Sequence, residues 1–181
     1  MLKWLAVVMV MMAAPGLAWA GDYRLAPDDT SVTFTTGAFG VAHTTGHVAG
    51  VDGTLNFDPD RPGDSVVDVT LDMTTLSTGV SMFDAQLQGA DYFATDTYPS
   101  ASFRSTHVEM TGARTANVTG DLTLHGVSRR VTLVVTFDDR PGEGLGFTAT
   151  ARIKRRDFGI DKLQLFISDD IDLRIIARAM P

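Results

Sequence analysis

The stretch GDLTLHGVSRRVTL, residues 120–133, decides the fold. Leu122 and Leu124 alternate with Asp121 and Thr123; after a short interruption, Val131 and Leu133 alternate with Arg130 and Thr132. Successive side chains of a strand point to opposite faces, so a period of two marks two half-buried strands. Between them stands His125-Gly126. Glycine accepts a positive φ at no steric cost, and histidine tolerates it better than most residues. The pair predicts the loop of a tight hairpin, with His125 a turn residue whose ring is solvated rather than a catalytic group.

The same period runs outward in both directions. VVDVTLDM (66–73) puts Val67, Val69, Leu71 and Met73 on one face. ASFRSTHVEM (101–110) puts Phe103, Ser105 and His107 opposite Arg104, Thr106 and Val108. Val118 and Gly120 join Leu122 and Leu124, while Val135 and Phe137 continue the face of Val131 and Leu133. Near the C-terminus Ile171, Leu173, Ile175 and Ala177 share one face against Asp172, Arg174 and Arg178 on the other. Turn-forming clusters at 58–64, 111–114 and 138–146 separate these runs. The pattern predicts an all-β chain of about eight strands, each a hairpin step from the last. It breaks only at 78–99. There SMFDAQLQG (81–89) opens on Ser81, carries Asp84 three residues on and stops at Gly89, which predicts a two-turn helix with a capping-box-like start. A helix that short needs an apolar platform, and the open end of a barrel supplies one.

Residues 1–20, MLKWLAVVMVMMAAPGLAWA, combine a lysine, an apolar run and an Ala-Trp-Ala end. This is the pattern of a cleaved secretory signal peptide, too short in its apolar run to span a bilayer comfortably. The expected mature chain is 21–181, a length that suits one domain with a sizeable core. The formal net charge is -7, and the expected cleavage removes one positive charge more. An acidic surface repels phosphate backbones, which argues against nucleic acid as a partner. The chain has no cysteine, so packing must hold the fold and thiol chemistry is excluded.

Motifs for catalysis or metal binding are weak. His43 and His47 lie four apart in a glycine-rich stretch unsuited to a helix. On an extended strand they stand about 13 Å apart, too far to share one ion. His107 and His125 have no ligand partners at metal spacing, so no metal and no cofactor are expected. There is no nucleophile elbow around any serine and no glycine-rich phosphate loop before a helix. The paired aspartates 28–29, 138–139 and 169–170 fall at strand ends or turns, where acidic residues are ordinary. What remains is an apolar lining: Phe34, Phe57, Met73, Phe103, Leu122, Leu124, Leu133, Val135, Phe137, Phe147 and Leu173 are expected to point inward. An eight-stranded barrel is just wide enough to be filled by such side chains or to hold one small ligand. The pattern leaves both open; small residues such as Gly120 and Ser105 on inner faces lean toward a cavity.

Three stretches together are familiar: DYFATDTYPSASFRST (91–106), GDLTLHGVSRRVTL (120–133), and RRDFGI (155–160) followed by SDDIDLRI (168–175). In this order and spacing the chain resembles the YceI-like family of exported polyisoprenoid-binding proteins over most of 23–177. The resemblance implies an eight-stranded antiparallel, lipocalin-like barrel closed by a short helical lid. It also implies an apolar pocket for an isoprenoid-tailed amphiphile, a polyprenyl lipid or a quinone, and no catalytic residues. The family's signatures fall on Leu87, on Asp91, Tyr92 and Phe93, on residues 122–127, and on Arg155, Asp157, Phe158 and Gly159. Where many members carry His-Ser before the first long strand, this chain has Asp29-Thr30.

The resulting expectation is a non-catalytic periplasmic binding protein. Its wall would be formed by the inward residues named above, and its lid by Met82, Phe83, Leu87, Tyr92 and Phe93. Arg129, Arg130 and Arg155 are candidates for a polar head group. The alternatives are a packed barrel that acts through its surface as a stress-response or partner-binding module, and an enzyme acting on a lipid with His107, His125 or an aspartate as acid–base. A homodimer is compatible with all three, and no membrane span is expected after signal cleavage.

Overall fold

The computed structural model describes residues 20–38, 42–138, 144–162 and 167–181. These contain ten strand segments: β1 (Gly21–Leu25), β2 (Ser31–Ala38), β3 (Ala42–Val48), β4 (Val51–Phe57), β5 (Val66–Asp72), β6 (Ser100–Gly112), β7 (Thr115–Leu124), β8 (Val127–Asp138), β9 (Leu145–Lys154) and β10 (Ile167–Met180). The helix α1 (Ser81–Gln88) lies between β5 and β6.

All pairings are antiparallel, in the order β1-β4-β5-β6-β7-β8-β9-β10-β2-β3, and β1 also pairs with β10. β1 and β2 take successive lengths of β10: Leu25 stands opposite Ala179, and Ser31 opposite Ile176. β4 pairs with β1 while β3 pairs with β2. Each of these two couples is therefore one broken strand. The ten segments make an eight-stranded up-and-down barrel, as the alternation predicts. The first break is a 3-10 turn, Pro27–Asp29, whose geometry proline at its start favours. Across it Thr30 Oγ1 donates to the Ala26 carbonyl at 2.8 Å.

The His125-Gly126 hairpin is as tight as expected. Leu124 pairs with Val127, and the two loop residues have φ of 51° and 71°. The β6 face differs from expectation. A register shift between Ser105 and His107 inserts an extra residue into the strand, and a bulge of this kind reverses the face of everything beyond it. Val108 is therefore buried and His107 exposed, opposite to the simple alternation. Gly120 holds no free space either. A Cβ there would lie 2.6 Å from the Phe103 ring, which fills the room over the glycine. Ser105 turns its hydroxyl to the β5 ladder and accepts the Val67 N–H at 2.8 Å.

α1 occupies its predicted span, but its start is built differently. The N-cap is Val80, with no side-chain cap bond. Asp84 instead reaches back beyond the cap. Its Oδ1 accepts from the Thr78 N–H (2.6 Å) and Oγ1 (2.7 Å), and its Oδ2 from Ser77 Oγ (2.7 Å).

The outer wall carries cross-strand charge pairs such as Arg130–Asp121 and Arg152–Asp172. Exposed pairs of this kind contribute little each. The inner wall forms two apolar clusters along the barrel: one around Leu55, Phe57, Val135, Phe137 and Leu145, the other around Phe34, Met73, Phe93, Leu124 and Phe158. Among the described residues, no helix is long and apolar enough to cross a membrane. Of the expected 138–146 loop, residues 139–143 lie outside those described, as do 39–41 of the glycine-rich segment.

Candidate functional site

Inward alternation on eight strands gives the barrel an apolar bore. At its centre lies a cavity of about 150 Å³, wholly apolar in surface. Among the described residues, the one polar residue on its wall is Thr30, and its hydroxyl is already committed to Ala26. A second void of about 50 Å³ lies toward the end lined by Phe57, Phe137 and Leu145. Several inward residues, among them Val67, Val69, Leu71, Leu122, Leu133, Phe147 and Leu173, are only half-buried although they point into the barrel. One side of each meets open cavity instead of a packing neighbour.

Most of the expected lining residues stand on these two walls. Phe34, Met73, Phe93, Phe103, Leu122, Leu124, Leu133 and Phe147 border the larger cavity. Phe57, Val135 and Phe137 border the smaller one, together with Leu133 and Phe147. Sequence reasoning missed Leu25, Val48, Val51, Leu76 and Ile153 on the larger wall. For Val48, Val51 and Ile153 the signal, alternation within β3, β4 and β9, was available; Leu25 ends β1 and Leu76 lies outside the strands.

The lid sorts differently. Phe93 reaches the cavity and packs against Phe34, with ring centroids 6.4 Å apart. Tyr92 is buried in the adjoining cluster, and Leu87 packs against that cluster's edge. Met82 and Phe83 are 71% and 47% exposed and border neither void. No residue of α1 is fully buried. Polar bonds fix the helix instead: those of Asp84, and Gln88 Nε2 donating to the Thr74 and Leu76 carbonyls at 3.2 and 2.9 Å. The donors around Asp84, the Thr78 backbone N–H foremost, hold its carboxyl below the ordinary aspartate value.

The polar candidates separate as clearly. His125 has a bonded ring, not a solvated one. Its Nδ1 lies 3.0 Å from the Phe158 carbonyl, which only accepts, so Nδ1 carries the proton. The Tyr98 ring meets it edge-on at 4.8 Å. His125 thus clamps the β7–β8 hairpin to the turn after β9. Arg155, expected at the surface, is 4% exposed. It donates to four backbone carbonyls, those of Ser168, Ile160, Lys162 and Ile167, at 2.8–3.2 Å. Its guanidinium is the hub around which the β9–β10 connection folds. Arg130 is exposed on the outer wall, paired with Asp121, whereas Arg129 is exposed on the other side of the strand, opposite Leu122 and in step with the inward Val131. His43, His47 and His107 are also exposed. Among the described residues, no three metal-binding side chains converge.

Comparison with known proteins accords with this architecture. The YceI-like domain family matches residues 23–179. The chain belongs to the YceI-like family. It is 35% identical to Protein YceI of Shigella flexneri over 172 residues, which cover 91% of this chain and 90% of that one. The crystal structure of Burkholderia cenocepacia BcnA superposes with a TM-score of 0.80 at 25% identity, covering 87% of this chain and 99% of that one. A polyisoprenoid-binding domain from Saccharophagus degradans, implicated in plant cell wall breakdown, shares the fold with a TM-score of 0.70 at 15% identity, over 87% and 97% of the two chains. This YceI-like barrel thus keeps the family's architecture, with Thr30 on the cavity wall.

Proposed function

We propose that this YceI-like protein is a non-catalytic binder of an isoprenoid-tailed amphiphile, a polyprenyl lipid or a quinone, held by its tail inside the barrel. The observation that carries this is the wholly apolar cavity at the centre of the bore. Its wall offers packing and dryness, and among the described residues no charged side chain borders it. Such a wall favours hydrocarbon by about 0.8 kcal/mol per buried CH₂. Association costs roughly 4–15 kcal/mol before any surplus appears, so a tail of several units is the economical guest and a small metabolite is not. The polyisoprenoid-binding domain of the same fold adds support by analogy.

An apolar cavity of about 150 Å³ is the size that stays dry and takes a guest like benzene. A longer tail therefore enters by displacing side chains or remains partly outside. Transport, storage or sequestration of this cargo in the periplasm is part of the proposal, and the leader-like pattern of residues 1–20 supports it.

Gentle purification from the native periplasm, solvent extraction and mass spectrometry test this. A stoichiometric prenyl lipid or quinone is the expected result. A protein that emerges empty and takes up no added prenol would overturn it. So would a cargo of another chemical class.

A further inference from the structure

The two voids are separated by a waist. Five residues border both: Leu55 on β4, Val67 on β5, Leu133 on β8, and Phe147 and Ala149 on β9. With β1–β2 and β3–β4 each counted as one strand, β4 and β8 stand four strands apart in the ring of eight, as do β5 and β9. Leu55 thus faces Leu133 across the bore, and Val67 faces the Phe147–Ala149 wall. Leu55 and Val67 are direct partners in the sheet, and both border the two voids. Beyond the waist the smaller void is lined by Phe57 and Phe137, whose rings lie 5.1 Å apart at a tilt of 35°, and by the fully buried Leu145.

Resting on the tail-binding function above, we infer that this waist is a chain-length determinant. Leu133 and Phe147 set the depth at which the end of the tail stops. A tail fills the larger cavity until its terminal isoprene unit meets the waist. Further units gain little, because they extend at the other end, away from the waist. The smaller void is room that a longer tail reaches only when the waist is thinned. Leu133 and Phe147 carry this role because both are only half-buried and so have space to be pushed aside, whereas Ala149 has no side chain to move.

The test uses delipidated protein and a prenol series: geraniol, farnesol and geranylgeraniol, with two, three and four isoprene units, and longer homologues. Affinity is measured by calorimetry. In the wild-type protein each added unit is expected to strengthen binding by about tenfold or more while it is enclosed, followed by a plateau. Leu133→Ala and Phe147→Ala should each move the plateau at least one unit longer. Leu133→Met, which keeps volume but bends more easily, is the safeguard if either alanine variant does not fold; it too should move the plateau to longer chains. An independent check needs no variant: crystals under xenon should show two separate sites, one on each side of the waist.

Binding without a plateau, or a plateau unmoved in a folded Leu133 variant, would overturn the waist and leave the binding function standing. One continuous xenon site would also overturn it. Failure of every prenol to bind the wild-type protein would instead overturn the tail-binding function itself, and the waist with it.

Discussion

Gly126 holds φ at 71°, and a Cβ there would lie 2.5 Å from the Tyr98 ring. Gly126→Ala therefore meets two obstacles, the left-handed backbone and the tyrosine. It should lower stability by about 1–2 kcal/mol in a denaturant titration. This position was legible in the sequence, because tolerance of positive φ belongs to a single residue. Arg155 was not legible. Its burial depends on a connection folding back over it, and nothing in RRDFGI distinguishes a solvated arginine from one donating to four carbonyls. Arg155→Lys keeps the charge but replaces a planar fork with a compact ammonium of three donors. At least one buried carbonyl then loses its partner. The expected loss is about 1–3 kcal/mol by denaturant titration, with faster amide exchange confined to the β9–β10 connection.

Strands and turns were readable from local pattern, since alternation and turn chemistry are local properties. The β6 bulge was not, because an extra residue exists only relative to the partner strand: ten residues of alternation look alike with or without it. The same limit applies to α1. Its length was readable from Ser81 and Gly89, but its exposed Met82 and Phe83 depend on how the helix sits on the barrel end. The tie through Asp84 gives this element a pH dependence whose sign follows from the depressed carboxyl. The folded state takes up the proton at a lower pH than the unfolded chain does. The stabilisation is thus full above the unfolded value of about 3.9 and is lost as pH falls through it toward the folded value. Exchange of the α1 amides, corrected for intrinsic rates, should rise between pH 5 and 3. In Asp84→Asn it should already be raised at pH 5 and change little below. A readout local to α1 is needed, because Asp169 and Asp172, held low by bonds from Arg156 and Arg152, titrate in the same range.

At the scale of the whole molecule, the barrel leaves unfilled space where a packed core would gain stability. Dispersion contacts are lost wherever a side chain faces a void, and the half-buried inner residues border such space along the bore. That the bore is apolar was legible from period two. That it is not filled was not, because Gly120, the small residue that hinted at space, is covered by Phe103, and the cavity arises from the summed shapes of many strands. A guest that restores those contacts binds only the folded barrel, so it must stabilise the fold by mass action. At a free concentration a hundred times the dissociation constant the gain is about 2.7 kcal/mol. For a chain of this size that corresponds to a rise in Tm of about 5–10 °C. Scanning calorimetry of delipidated protein with and without a bound prenol should show this rise, and Phe103→Glu should abolish it. That variant places a charge on the cavity wall, where burying hydrocarbon against it leaves the carboxylate without water. A folded Phe103→Glu protein that kept the full rise would place the guest outside the bore.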